Sequence, residues 1–314
     1  MNQPYDPEGW DHWSRVMSNN VKFLRKDVTF VPEVRSPTVR RRELGTLLRK
    51  LRTEKGLTVE QAAEQLMFSM SKLSRMETGH GIATPRDIRD LCALYEVTDA
   101  SERDRMIRLA AEGKRPGWWQ SYDLPYSDYV GFEAEAISIW DYDSAIVPGL
   151  LQTADYARAL HQAAVPRLSE DVIEERVEER LTRQRVLGQD EAPLFWTVMD
   201  EAVLRRLVGG RSVMRAQLEK ISDVAALMPN VTVQIIPYEV GAHPALDSTF
   251  TILDFASSVP SVVYVEGLVG WIYVERPDEV DRYSQVFNHL RTIALSPQDS
   301  IDMIANVLNN LVDR

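Results

Sequence analysis

Gly56-Leu-Thr-Val-Glu-Gln-Ala-Ala-Glu-Gln-Leu66 and Ser69-Met-Ser-Lys-Leu-Ser-Arg-Met-Glu-Thr-Gly79 are two short amphipathic segments separated by two residues. Upstream lies Arg40-Arg-Arg-Glu-Leu-Gly-Thr-Leu-Leu-Arg-Lys-Leu-Arg52, where Leu44, Leu47, Leu48 and Leu51 recur at helical spacing. Gly56 ends that helix, and Thr58 is a natural N-cap for the next. Ala62, Ala63 and Leu66 give the second helix a small inner face that lets a neighbour approach closely. Ser69 caps a third helix whose inner face is Leu73 and Met76. Its outer face, Met70, Ser71, Lys72, Ser74 and Arg75, has the size and polarity to enter a DNA major groove.

At these residues the chain resembles the lambda-repressor-like (XRE) helix-turn-helix family, chiefly through Ser71-Lys-Leu-Ser-Arg-Met-Glu-Thr-Gly79. The resemblance implies an ion pair between Arg52 and Glu77 that locks the third helix to the first. Two positions depart from the family pattern. Met67 stands where the turn favours a left-handed glycine, at a cost of about 1 kcal/mol. Val59 stands where a DNA-contacting glutamine is common, which leaves Thr58 and the N–H groups of the helix start to hold phosphate. On the DNA-reading view, Met70, Ser71 and Arg75 read base edges, with Arg75 directed to guanine. Thr58, Lys72, Ser74 and Arg86 hold phosphates, and Arg40, Arg41 and Arg42 add non-specific attraction.

Charge supports that division. Residues 1–115 hold 21 Lys and Arg against 17 Asp and Glu, a net of +4; residues 116–314 hold 15 against 30, a net of −15. The basic charge therefore concentrates where the motif sits, although the whole chain carries −11. No apolar run approaches the roughly 20 residues a bilayer requires. The polar, acidic start is unlike a signal peptide. The single cysteine, Cys92, falls on an inner helical face, so a reducing, cytoplasmic, nucleoid-associated location is expected.

Outward from the motif, residues 1–37 are expected as an N-terminal extension and 38–113 as the helix-turn-helix domain. Residues 114–314 form a second domain that senses a ligand, dimerises or binds a partner, beginning at the hinge Lys114-Arg-Pro-Gly117. The first domain is expected to be all-α with five helices, and the second α+β with a mainly antiparallel sheet. Strands are expected at Leu194–Met199, Val231–Ile236, Thr249–Phe255, Val262–Glu266 and Trp271–Glu275, with Phe132–Trp140 open between helix and strand. Long helices are expected at 171–187, 212–228, 278–295 and 298–313. This half, through Val147-Pro-Gly-Leu-Leu-Gln-Thr153, Asp200–Gly210 and Gly241-Ala-His-Pro244, is similar to the C-terminal domain of actinobacterial WhiJ-like regulators. That resemblance implies a transcription factor often accompanied by a small acidic protein; it supplies no catalytic residue.

His12, His80, His161, His243 and His289 show no metal-ligand spacing, and no nucleophile elbow or phosphate-binding glycine loop is present. Neither metal, cofactor nor catalysis is expected. Trp118, Trp119, Trp140, Tyr142 and His243 are candidates to line a ligand pocket, the other reading being that these rings build core. The sequence thus points to a homodimeric, sequence-specific DNA-binding regulator whose second domain binds a small protein or metabolite. The alternative is an antitoxin-like or sequestering protein that binds DNA weakly, or only with a partner.

Overall fold

Serine, threonine and aspartate side chains cap every helix but the first among those described in the first part of the chain. The computed structural model describes residues 36–122, 124–256 and 259–312; the expected extension, apart from its last two residues, lies outside them. Helix α1 (Pro37–Glu54) begins with proline in its first turn, where no amide partner is lost. Helices α2 (Val59–Gln65) and α3 (Met70–Glu77) start at Thr58 and Ser69, whose side chains accept the amides of Gln61 and Lys72. Thr84 caps α4 (Pro85–Leu94) and Asp99 caps α5 (Ala100–Glu112). Leu44, Leu48, Ala62, Leu73, Met76, Ile88, Leu91 and Met106 meet in one buried core. Cys92 is buried there too, its sulfur 3.8 Å from that of Met106.

The ends of α1, α2 and α4 share one hydrogen-bond pattern with different residues, and the first two make a direct comparison. After α1, the amides of Gly56 and Leu57 donate to the carbonyls of Thr53 and Arg52. After α2, the amides of Met67 and Phe68 donate to Glu64 and Ala63 in the same pattern. Gly56 takes φ +67° without penalty, whereas Met67 takes φ +54° with a side chain 93% exposed. The expected left-handed turn forms, and the methionine bears its strain.

The second part is built on a six-stranded sheet of order β3-β2-β1-β4-β5-β6. Its strands are β1 (Ser138–Asp143), β2 (Leu194–Asp200), β3 (Val231–Ile236), β4 (Phe250–Asp254), β5 (Val262–Gly267) and β6 (Gly270–Val274). The expected antiparallel meander is present as β4-β5-β6, which closes at Gly267 and Gly270. The sheet as a whole is mixed, however, because β1, β2 and β3 pair in parallel. Each parallel step needs a long crossover. Helices α7 (Ala154–Gln162) and α8 (Glu170–Arg183) make the first, and α9 (Glu201–Arg205) and α10 (Arg211–Leu227) the second. Strand β1 lies at the reversal, parallel to β2 and antiparallel to β4.

Alternation along the strands buries both faces. Ile139, Phe195, Val233, Ile235 and Leu253 join the core that includes Met214 and Leu218 of α10 and Ile304 of α12 (Pro297–Val312). Tyr142, Val198, Ile252 and Val263 meet Phe287 and Leu290 of α11 (Pro277–Ile293) on the other side. Helix α6 (Ser127–Glu133) closes the first of these cores, and Val39 from the first turn of α1 is buried in it as well. No helix among the described residues is long and apolar enough to cross a membrane.

Candidate nucleic-acid interface

Three contacts position α3 against α1. A Cβ on Gly45 would lie 2.6 Å from the carbonyl oxygens of Met76 and Glu77, so only glycine permits this crossing. Arg52 grips Glu77 with two hydrogen bonds, Nε to Oε1 at 2.7 Å and Nη2 to Oε2 at 2.9 Å. Its remaining Nη1 donates to the Leu57 carbonyl at 2.7 Å, tying the turn before α2 to the same side chain. Gly79, at φ +76°, packs on the Cα of Arg42. A planar guanidinium with two carboxylate bonds fixes orientation as well as distance.

On the opposite side of α3, Met70 is 53% exposed, and Ser71, Ser74 and Arg75 are exposed as well. The Arg75 guanidinium has no hydrogen-bond or ion-pair partner among the described residues, which makes it available to an external acceptor. Arg86, its side chain 86% exposed, has among the described residues only a 3.9 Å approach to Asp90 on its own helix.

The other expected phosphate contacts are placed differently. Lys72 Nζ donates to Asp87 Oδ1 at 2.6 Å and stands 3.8 Å from the Phe68 ring centre, joining α3 to α4. Burial works to raise the Asp87 carboxyl, but hydrogen bonds from Lys72 and Thr84 outweigh it and hold the group below its ordinary range. Thr58 and Gln61 cap each other reciprocally, so the Thr58 amide already has an acceptor at 2.9 Å. Val59 is partly buried and packs against the helical core.

Arg40, Arg41 and Arg42, expected to add non-specific attraction to phosphate, lie against the chain's own acids. Arg40 pairs with Glu43, Glu112 and Glu135. Arg41 donates to the Gly113 carbonyl at 3.3 Å and lies 3.7 Å from Asp128. Arg42 pairs with Glu275 and lies 5.4 Å from the centre of the Phe132 ring. These arginines face acids of the second part of the chain and fasten α1 to it. Ser36 reinforces the junction by donating to the Gly131 carbonyl at 2.6 Å. Thr38 packs on the bare Cα of Gly131, where a Cβ would sit 2.5 Å from its hydroxyl.

The five expected pocket residues do not come together. Trp119 is buried in the core beside α6, while Trp118 lies at the surface. Trp140 packs on Trp196 and Phe287 under Arg291, on the far face of the sheet. The Tyr142 hydroxyl lies 3.4 Å from His243 Nε2, and Tyr142 is the one of the five that lines the cavity at the end of β1. The charged residues of that cavity went unnoticed in the sequence. Asp141 accepts from Thr197 at 3.2 Å and Thr251 at 2.9 Å, one threonine from each flanking strand. Arg183 grips Glu133 of α6 with bonds of 2.8 and 2.7 Å. The alternating Trp140-Asp-Tyr-Asp143 of a buried strand was the available signal. No three His, Cys, Asp or Glu among the described residues are placed to hold a metal.

Helix α6 thereby touches both regions. Tyr129 lines the cavity and Glu133 holds Arg183, while Asp128 and Gly131 hold the first turn of α1. Helix α1 then meets α3 at Gly45 and through Arg52.

Comparison with known families agrees with this two-part construction. Residues 43–106 match the family described as a helix-turn-helix domain. Residues 126–306, more than half of the chain, match the family described as "Domain of unknown function (DUF5753)". The chain belongs to that family and carries a helix-turn-helix domain ahead of it. No curated protein and no solved structure matches it.

Proposed function

We propose that the protein is a sequence-specific, DNA-binding transcription regulator of the XRE, WhiJ-like type, acting as a homodimer in the cytoplasm and working by binding rather than catalysis. The observation that carries this reading is the exposed face of α3, where Arg75 has no partner among the described residues while its helix is braced from behind by Gly45 and Arg52. Arg75 reads guanine, Met70 and Ser71 contact neighbouring base edges, and Ser74 and Arg86 hold phosphates. The C-terminal domain binds an effector, either a small acidic protein or a small molecule. The contacts of α6 support transmission of that event to α1. Leu268, Val269 and Ile272 are exposed at and beside β6, the last strand of the sheet, an apolar surface suited to a second copy.

Footprinting on DNA upstream of the protein's own gene tests the reading. Two protected half-sites centred about one helical turn apart are expected. Uniform, competitor-sensitive protection would contradict it. A second reading draws support from the occupation of Lys72 and Arg40–Arg42 by carboxylates, which reduces phosphate attraction. In that reading the protein is an antitoxin-like or sequestering module that engages DNA only with its partner, and footprints would appear only when the partner is added.

A further inference from the structure

The cavity at the carboxyl end of β1 has a volume of about 100 Å³ and opens where β1 passes from a parallel to an antiparallel neighbour. In open α/β sheets such a reversal leaves a crevice beyond the strand ends, where ligands are commonly held. Strand β1 contributes Asp141 and Asp143 to its wall, and α8 contributes Arg180 and Arg183.

These four charges are not equivalent. Arg183 is committed to Glu133, with Glu179 at 3.7 Å, and Asp141 is held between two threonine hydroxyls. Asp143, by contrast, accepts no hydrogen bond and joins no ion pair among the described residues. Arg180 Nη1 donates to Gln152 at 3.1 Å, a neutral acceptor, and its Nε is buried without a partner. The guanidinium also lies against the Tyr126 hydroxyl, and it pairs with no carboxylate among the described residues. One cavity thus presents a carboxylate and a guanidinium that do not meet each other.

The rest of the lining favours a cation near the carboxylates. Tyr129 and Tyr264 stand with ring centres 4.3 Å apart, and Tyr126, Tyr142 and Phe250 add further aromatic surface. Aromatic faces attract ammonium groups, most strongly where water is excluded. Glu266 adds a third carboxylate, so acids outnumber uncommitted bases. The volume limits the guest to a few heavy atoms; for scale, a cavity of about 150 Å³ accommodates benzene.

We infer that this cavity binds a small free amino acid, its ammonium group on Asp143 among the tyrosine rings and its carboxylate on Arg180. Burial raises the Asp143 carboxyl well above its ordinary range, with Asp141 and Glu266 adding to the effect and Arg180 opposing it. A bound ammonium would stabilise the ionised form. The assignment rests on the C-terminal domain being an effector domain, and it names that domain's ligand class.

The test is calorimetric titration of the full-length chain with each common amino acid, together with the decarboxylated amine and the N-acetylated form of any that binds. At least one small amino acid is expected to bind, and removing either its carboxylate or its ammonium charge should weaken binding at least tenfold. Asp143→Asn and Arg180→Gln should each produce the same loss. The ligand analogues carry the test if a variant does not fold. Absence of binding by every amino acid would overturn the inference. So would equal affinity for the amine, or binding undiminished in both variants. Because no DNA is present, the result is separable from the regulator reading: a chain that binds an amino acid but no promoter DNA would leave this site intact and refute that reading.

Discussion

Arginines at the start of α1 and arginines on α3 and α4 look alike in the sequence and serve opposite ends. Arg40, Arg41 and Arg42 point into the chain and meet Glu135, Asp128 and Glu275 of the second part. Arg75 and Arg86 point away from it, and among the described residues the one ion pair of either is the 3.9 Å approach of Arg86 to Asp90. The difference teaches that a run of basic residues predicts attraction to phosphate only after the chain's own carboxylates have been considered. Here the acidic half of the chain supplies them, so part of its excess negative charge joins the two halves.

Arg52, which belongs to neither group, offers the largest effect. Its pair with Glu77 is nearly buried, and removing one partner leaves a charge without compensation. Glu77→Ala should lower the stability of the helical part by about 3 kcal/mol in denaturant unfolding. A loss below about 1 kcal/mol would place this pair with ordinary surface ion pairs.

A buried carboxylate extends the comparison to acids. Burial pushes Asp141 up to about 6, against the hydrogen bonds from Thr251 and Thr197 that lower it. A group raised on folding contributes stability below its unfolded value near 4, and that contribution is lost as pH rises through its folded value. Relative to Asp141→Asn, wild type should therefore lose on the order of 2 kcal/mol between pH 4 and pH 7. A parallel pair of pH–stability curves would show that Asp141 titrates in the folded protein as it does in the unfolded chain.

The α1 arginines come next. Arg42→Ala should cost about 1–2 kcal/mol of stability, since Glu275 remains partly solvated, and should leave the salt dependence of DNA binding unchanged. A shallower salt slope in this variant would return Arg42 to the phosphate contacts. The smallest effect concerns the two matched helix ends. Met67→Gly should stabilise the protein by about 1 kcal/mol, because the exposed methionine loses few contacts and the turn already has φ +54°. No gain would mean that the flexibility of glycine in the unfolded chain offsets the relieved strain.

What the sequence disclosed follows the range of the interactions. Leucine spacing in α1, the Thr58 and Ser69 caps and the Gly56 turn act within a few residues, and each could be read from its own neighbourhood. The same holds for the β4-β5-β6 meander, whose strands are joined by short connections. Parallel pairing of β1 with β2 depends on a crossover of two helices, and nothing in Ser138–Asp143 announces it. The partners of Arg42 and Arg183 lie 233 and 50 positions away. The outward face of α3 was legible because its inner residues define it. Which nearby cations stayed free was not, because that depended on carboxylates brought in by the rest of the fold.

The most direct measurement is fluorescence anisotropy of wild type, Arg75→Ala and Arg42→Ala on DNA from the protein's own promoter, with competitor DNA at two salt concentrations. Arg75→Ala is predicted to weaken specific binding by about 1–3 kcal/mol and to relax base preference, with Arg42→Ala binding as wild type does. Binding that is indifferent to Arg75 and weakened by Arg42→Ala would contradict the assignment of α3 as the reading helix.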